Sequence, residues 1–353
     1  MGTAEGAETK FTVAASAARG LLTYAEARQV PTAGALAAVG LERAALAGAE
    51  ARVTQAAYNQ LWARLAEASG DEDFGLHFAE RLDLDALDVI GHLVAKSATF
   101  GQGLDRVVAF SRILHDAGRV EVEREGTGAR VYPGCRGLLH EWPRHVAEFS
   151  VAAVVVLGRI VTQATWAPRE VAFRHPAPAR TAEHQRLFGV TPRFDQPETS
   201  VVLGTEVLAL PVRESQPGVV TYLDAYARAA LEKLGPPDDD LSTNVERAIA
   251  RAMDRGPPDL APVAAQLGLS ARTLQRRLAQ AGTSFQALVD GVRRAYAERY
   301  LADDRLALGE VAFLLGFSDP SNFHRAFRRW TGLTPAAFRE AHRVAPQDKA
   351  LSP

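Results

Sequence analysis

Leu260-Ala-Pro-Val-Ala-Ala-Gln-Leu-Gly-Leu-Ser-Ala-Arg-Thr-Leu-Gln-Arg-Arg-Leu278 and Leu308-Gly-Glu-Val-Ala-Phe-Leu-Leu-Gly-Phe-Ser-Asp-Pro-Ser-Asn-Phe-His-Arg-Ala-Phe327 carry one pattern twice. Each reads as an apolar helix, a Gly-apolar-Ser turn and an Arg-bearing second helix. In the first copy Leu260, Val263, Ala264 and Leu267 fall at i, i+3, i+4 and i+7, which is one buried helical stripe. Gly268 suits the left-handed backbone of the turn, and Ser270 suits the N-cap of the next helix. On that helix Leu274, Leu278 and Ala281 share a face. Arg272 and Arg276 point the other way, flanked by Thr273 and Gln275. In the second copy Val311, Ala312 and Leu315 form the scaffold stripe and Gly316 makes the turn. Asp319 is placed as N-cap, with Pro320 at the first helical position. Phe323, Phe327 and Trp330 then face the core. Ser321, Arg325 and Arg328 face outward, flanked by Asn322, His324 and Arg329. A helix-turn-helix written twice implies a reader of duplex DNA.

The chemistry of the outward faces agrees. Arg can be bidentate to guanine and Gln bidentate to adenine in the major groove. The expected DNA-binding residues are therefore Arg272, Thr273, Gln275, Arg276, Ser321, Asn322, His324, Arg325, Arg328 and Arg329. Between the copies runs Ser284 to Leu301, with Phe285, Leu288, Val289, Val292 and Tyr296 at helical spacing. A helix of that length spans roughly 27 Å at 1.5 Å per residue. It would hold two reading heads near the repeat of the major groove, about 34 Å.

Charge divides along the chain. Residues 241–340 hold 14 Arg, no Lys and 10 Asp/Glu, a net of +4, whereas 1–240 hold 24 Lys/Arg and 31 Asp/Glu, a net of −7. An acidic body with a basic end fits DNA contacts confined to one domain. Arg also matches phosphate and guanine geometry better than Lys does. The lone Cys135 excludes an intrachain disulfide and a thiolate zinc site, and points to a reducing, cytoplasmic setting. Residues 1–18 read as a disordered tail. They lack a basic segment followed by an apolar one, so no signal peptide is expected. The longest apolar run, Val151 to Leu157, reads as a buried core helix, not a membrane span.

Residues 19–233 read as an α+β body. Leu36, Val39 and Leu41, then Tyr58, Leu61, Trp62 and Leu65, recur at helical spacing. Gly101-Gln-Gly103 reads as a loop, without the third glycine of a dinucleotide fingerprint. Residues 119–124 alternate polar and apolar, Gly126-Thr-Gly128 turns, and Ala129 to Tyr132 returns, which predicts a β-hairpin. A long helix is expected from about His145 to Thr165. Strands are expected at Glu170–Phe173 and Ser200–Leu203, with a helix near Thr181–Phe188 between them. Leu234-Gly-Pro-Pro-Asp-Asp-Asp240 breaks the helix before it and reads as a linker. The all-α DNA-binding domain then occupies 241–342, leaving 343–353 as a second tail.

These residues resemble the AraC/XylS family of bacterial transcription regulators. The resemblance covers about 100 residues. It rests on Ser270 to Leu278, Gly282-Thr-Ser-Phe285, Val311 to Asp319, Asn322 to Gly332 and Thr334-Pro335. It implies that Arg272, Gln275 and Arg276 face bases, with Pro320, Ser321, His324 and Arg325 in the matching places of the second helix. The body resembles the effector domain of the ornithine-regulator type, not the jelly roll of the arabinose regulator. That likeness lies in Gly91 to Leu104, Val171-Ala-Phe-Arg-His175, Phe188 to Phe194 and Leu208-Ala-Leu-Pro211. The resemblance implies a small-molecule effector without naming one, a homodimer, and RNA polymerase as a partner.

Other motifs fail on chemistry. In His140-Glu-Trp-Pro-Arg-His145 the histidines are five apart and Pro143 breaks the helix, so they cannot share a face as zinc-protease ligands do. Pro133-Gly-Cys-Arg136 lacks the Pro-Cys-His-Arg string of the alkyltransferases that share this DNA-binding domain. No catalytic residue, metal or cofactor is therefore expected. His92, Arg136, His140, Trp142 and His145 are the expected effector contacts. A constitutive or architectural DNA-binding protein would explain the repeat as well, but it leaves the acidic body without a role. If one helix carries both heads, one monomer protects two adjacent major-groove segments on one DNA face. A hydroxyl-radical footprint confined to a single groove contradicts this.

Overall fold

The computed structural model describes residues 11–115, 120–134, 142–234, 241–253, 256–302, 306–317 and 319–344. The described residues up to 234 form one compact unit and those from 241 a second. The expected linker lies outside the described residues, apart from Leu234.

The first unit opens with strand β1 (Thr12–Ala14) and helix α1 (Ala15–Ala27), followed by α2 (Thr32–Ala38), β2 (Arg52–Thr54), α3 (Gln55–Ser69) and α4 (Phe74–Glu80). The expected tail therefore stops short of Thr12. β1 pairs antiparallel with β2, placing Val13 opposite Val53. The Arg52 guanidinium fastens the strand by donating to Thr12 Oγ1 at 2.6 Å and to the Ile113 carbonyl at 2.8 Å. Small side chains make this segment look featureless in sequence, yet Val13, Ala15 and Ala18 are fully buried because α1 packs closely. Tyr58, Leu61, Trp62 and Leu65 of α3 are buried as their spacing predicts. Trp62 meets Phe74 edge-on at 5.9 Å and Phe78 at 5.5 Å, which ties α3 to α4.

Next come α5 (Asp88–Lys96) and α6 (Phe100–Phe110). The loop expected at Gly101-Gln-Gly103 is instead the first turn of α6. The glycines are there for close approach. A Cβ on Gly101 would lie 2.9 Å from the Leu208 carbonyl, and one on Gly103 2.9 Å from Val94 Cγ1. The Thr99 hydroxyl caps the helix by accepting from the Gln102 N–H.

The hairpin follows as β3 (Glu121–Glu125) and β4 (Gly128–Tyr132), then α7 (Arg144–Thr162), β5 (Glu170–Ala172), α8 (Ala182–Phe188), β6 (Ser200–Gly204), α9 (Thr205–Leu208) and α10 (Pro217–Lys233). The strands join as β3-β4-β6-β5, antiparallel throughout, with Val131 of β4 and Val171 of β5 both opposite Val201 of β6. Ala129, Val131, Val171, Val201 and Leu203 pack with Val151, Ala152 and Val155 of α7. By length and composition α7 would suit a bilayer, but its apolar face is spent on this sheet. It ends earlier than expected, at Thr162, where Gln163 turns left-handed at φ +52°. The first unit is thus α+β.

The second unit is helical: α11 (Leu241–Met253), α12 (Leu260–Gln266), α13 (Ala271–Gln280), α14 (Phe285–Ala302), α15 (Leu308–Leu314), α16 (Pro320–Thr331) and α17 (Pro335–Val344). The last helix runs two residues past the expected boundary at 342.

One polar cluster lies deep in the first unit. Glu148 of α7 is 0% exposed. Its Oε1 accepts from Arg144 Nε at 2.7 Å and lies 2.7 Å from His184 Nε2, with His175 Nε2 at 3.8 Å. His145 Nδ1 is 3.7 Å from Oε2. Burial pushes the Glu148 pKa up, but the bonds from His184 and Arg144 outweigh it and hold the carboxyl below its ordinary range. Burial lowers His145 and His175. Burial also lowers His77, but Asp71 and Glu183 prevail and its pKa is raised.

The signs fix the pH response. A carboxylate with a depressed folded pKa, and histidines with depressed ones, stabilise the fold above their unfolded pKa values and lose that stability as pH falls. His77 acts oppositely, adding stability below its unfolded pKa that is lost as pH rises through its folded one. Glu148 changes charge only below the histidine range, so between about pH 7.5 and about pH 5.5 the partly exposed His77 stands against two more deeply buried histidines, His145 and His175. The unfolding midpoint of the first unit is expected to drop on going from about pH 7.5 to about pH 5.5. H175F should flatten the profile, because its ring can keep the packing on Phe173 and Phe194 without protonating. Thermal unfolding across that range checks both points, and a midpoint that rises on acidification contradicts them.

Candidate nucleic-acid interface

The two halves of the repeat fold alike for the same local reasons. α12 buries Val263 and Ala264, and α15 buries Val311 and Ala312, each on one side. The chain then turns through Gly268 at φ +66° and Gly316 at φ +74°, where a side chain would strain the backbone. Ser270 caps α13, its hydroxyl accepting from the Thr273 N–H at 3.2 Å. Asp319 caps α16, its Oδ1 accepting from the Ser321 N–H at 2.8 Å, with Pro320 at the helix start.

α13 sits on Leu274 and Leu278, both fully buried. Arg272, Gln275 and Arg276 project into solvent, and among the described residues none makes a hydrogen bond or ion pair. Thr273 is only half-exposed, and its Oγ1 lies 2.8 Å from the Ser270 hydroxyl, so it belongs partly to the cap. Ala281, expected on the buried face, is exposed because the helix has ended at Gln280.

α16 sits on Phe323, Ala326 and Phe327. Ser321, Asn322, Arg325 and Arg328 are exposed, and His324 is half-buried with its ring edge-on to Phe323 at 5.9 Å. Arg325 donates to Asn322 Oδ1 at 2.6 Å. Arg329 is exposed as well, and it pairs with Asp290 of α14 at 2.7 Å. Its partner is more than 30 positions away in sequence, which hides the pair from local pattern reading.

α14 carries both heads. Its Leu288, Val289 and Val292 join the core of α11, α12 and α13, whereas Ala297 and Leu301 join that of α15 and α16. Arg293, between these sets, lies over the Phe317 ring at 4.7 Å and so braces the second turn. Burial lowers its pKa.

The expected effector contacts do not assemble in this way. Arg136 and His140, like Cys135, lie outside the described residues. His92 of α5 pairs with Asp85 at 3.0 Å on the surface. Trp142 lies near His115, with ring centroids 6.0 Å apart. His145 faces Phe74 and Glu148. Among the described residues no cluster of three or more His, Cys, Asp or Glu side chains has metal-binding geometry.

Known proteins share this organisation. A sequence-family profile described as the arabinose-binding domain of AraC transcription regulator, N-terminal, matches residues 30–212, and one for a helix-turn-helix domain matches 263–341. The chain is 33% identical over 297 residues to the ornithine utilization regulator of Pseudomonas aeruginosa, covering 80% of this chain and 83% of that protein. It is 29% identical over 284 residues to the transcriptional regulator VirS of Mycobacterium tuberculosis, covering 78% and 82%. The solved structure of the transcriptional regulator CdpR of Pseudomonas aeruginosa aligns over 87% of this chain and 96% of that one, at 23% identity and a TM-score of 0.40, too low to carry an argument. A profile spanning half the chain, and a relative of one-third identity along most of both sequences, agree with the two turn-linked helix pairs: the chain belongs to the AraC family of transcription regulators.

Proposed function

We propose that this regulator reads its operator through Arg272, Gln275 and Arg276 of α13, and through Ser321, Asn322, His324, Arg325 and Arg328 of α16. The observation that carries the reading is the contrast across α13: two fully buried leucines on one face, and unpaired Arg, Gln and Arg on the other. Unpaired guanidinium groups are free to take guanine edges or phosphates. Arg329 has a smaller part, since it is engaged by Asp290.

The first unit is the effector domain in this reading. It binds a small molecule, acts by binding and not by catalysis, and supports a homodimer that works with RNA polymerase in the cytoplasm. The similarity to the ornithine utilization regulator over both units supports a coupled sensor and reader. Effector control requires the ligand to prefer one of two states of the protein.

R276A is expected to lose about 1–3 kcal/mol of binding at a matched site and to relax preference at one base position. R329A should weaken binding less and leave base preference unchanged. Binding to a randomised operator library, read by sequencing, checks both. An equal loss for R276A on every sequence would restrict this Arg to phosphate. Affinity should also fall steeply with added salt as counterions are displaced.

A further inference from the structure

Two side chains one turn apart on α14 hold the second reading helix near its two ends. Asp290 pairs with Arg329, in the last turn of α16, at 2.7 Å. Arg293 lies over the ring of Phe317, two residues before the Asp319 cap, at 4.7 Å. Residues three apart share a helical face, so α16 is held front and back from one side of the strut.

The two contacts differ in weight. The Arg329 side chain is 65% exposed, and ion pairs of that kind contribute little. Arg293 is half-buried. Its Nε is shielded from water without a hydrogen-bond partner, and among the described residues its guanidinium makes no hydrogen bond or ion pair. Burial lowers its pKa, and the charge of Asp290 offsets this only in part. An apolar side chain of similar length would fill that space without the desolvation cost. What the cation supplies instead is a directed contact, a planar charged group held against the face of one ring.

That ring leads into the reading helix. Phe317 lies 5.8 Å from Phe323 and 6.2 Å from Trp330, both on α16. The turn beside it also meets the first head. A Cβ on Gly316 would lie 3.5 Å from Arg293 Nη2 and 3.6 Å from the Pro257 Cα, in the segment that leads into α12. Arg293 thus stands where the strut, the second turn and the entry to the first head converge. Releasing its guanidinium would let α16 shift relative to α13 without altering any residue that faces DNA.

We propose that Arg293, acting through Phe317, is the positioning residue that fixes the separation and angle of the two reading helices, and so determines which half-site spacing the protein accepts. One added base pair moves a half-site by about 3.4 Å along the duplex and about 35° around it, so a small relaxation here admits a wrong spacing. This role rests on the two-head reading of the operator and adds to it the residue that sets the register of the heads.

A site selected by the wild-type full chain from a randomised duplex library is remade with one base pair inserted between its half-sites. The wild type should prefer the matched site by at least about thirtyfold. R293M and F317L should each cut that ratio by about tenfold. The double variant should do no more than either alone, because both remove the same contact. R293K, which keeps a cation for the ring, should retain most of the ratio. Base preference within each half-site should stay as in the wild type. So should the salt dependence of R293M, whereas loss of a phosphate contact would lower that slope by about one. The thermal midpoint of R293M should equal or exceed that of the wild type. The proposal is overturned if R293M keeps the wild-type ratio, if it weakens both sites equally, if its salt slope drops, or if it no longer folds. If the wild type discriminates and R293M does so equally, only the role of Arg293 is lost. If the wild type itself ignores the insertion, the two-head reading falls with it.

Discussion

The DNA-binding unit depends on how α14 divides its buried residues. A helix-turn-helix pair alone is too small to bury its apolar stripes. Here α12 and α13 close their core against Leu288, Val289 and Val292, while α15 and α16 close theirs against Ala297 and Leu301. The two heads share one strut, and neither core is complete without it. Their spacing is consequently a property of a single rigid element, and no flexible connection sets it. The Asp290–Arg329 pair and the Arg293–Phe317 contact both tie this strut to the second head.

The second unit was the more legible in sequence. The repeat, the left-handed glycines, the Ser270 and Asp319 caps and the apolar stripes are local signals, and each constrains its neighbours within a few residues. Reading failed where the deciding partner lies far along the chain. Residues 12–18 hold only small or β-branched signals, and their order comes from Val53 and Arg52. Gly101 and Gly103 suggested a loop because their reason for being glycine is contact with Leu208 and Val94. Arg329 looks like its neighbours in sequence, and its pairing with Asp290 shows only in three dimensions.

The surroundings of the expected effector contacts depend on distant partners in the same way. His92, Trp142 and His145 drew notice as polar or aromatic residues within resembling stretches, yet each is occupied by a protein partner. Hydrogen-bond satisfaction has no sequence signature, because it depends on the whole three-dimensional neighbourhood.

The pairing of Arg325 with Asn322 and of Arg329 with Asp290 contrasts with the unpaired arginines of α13. A long side chain gives up as much as about 2 kcal/mol of rotamer entropy when it is immobilised. On α16 part of that loss has occurred before any DNA arrives, whereas on α13 it falls due at docking. The two heads thus differ in thermodynamic character. The second presents a partly frozen template and the first an adaptable one, and warming opposes docking of the first more strongly than docking of the second.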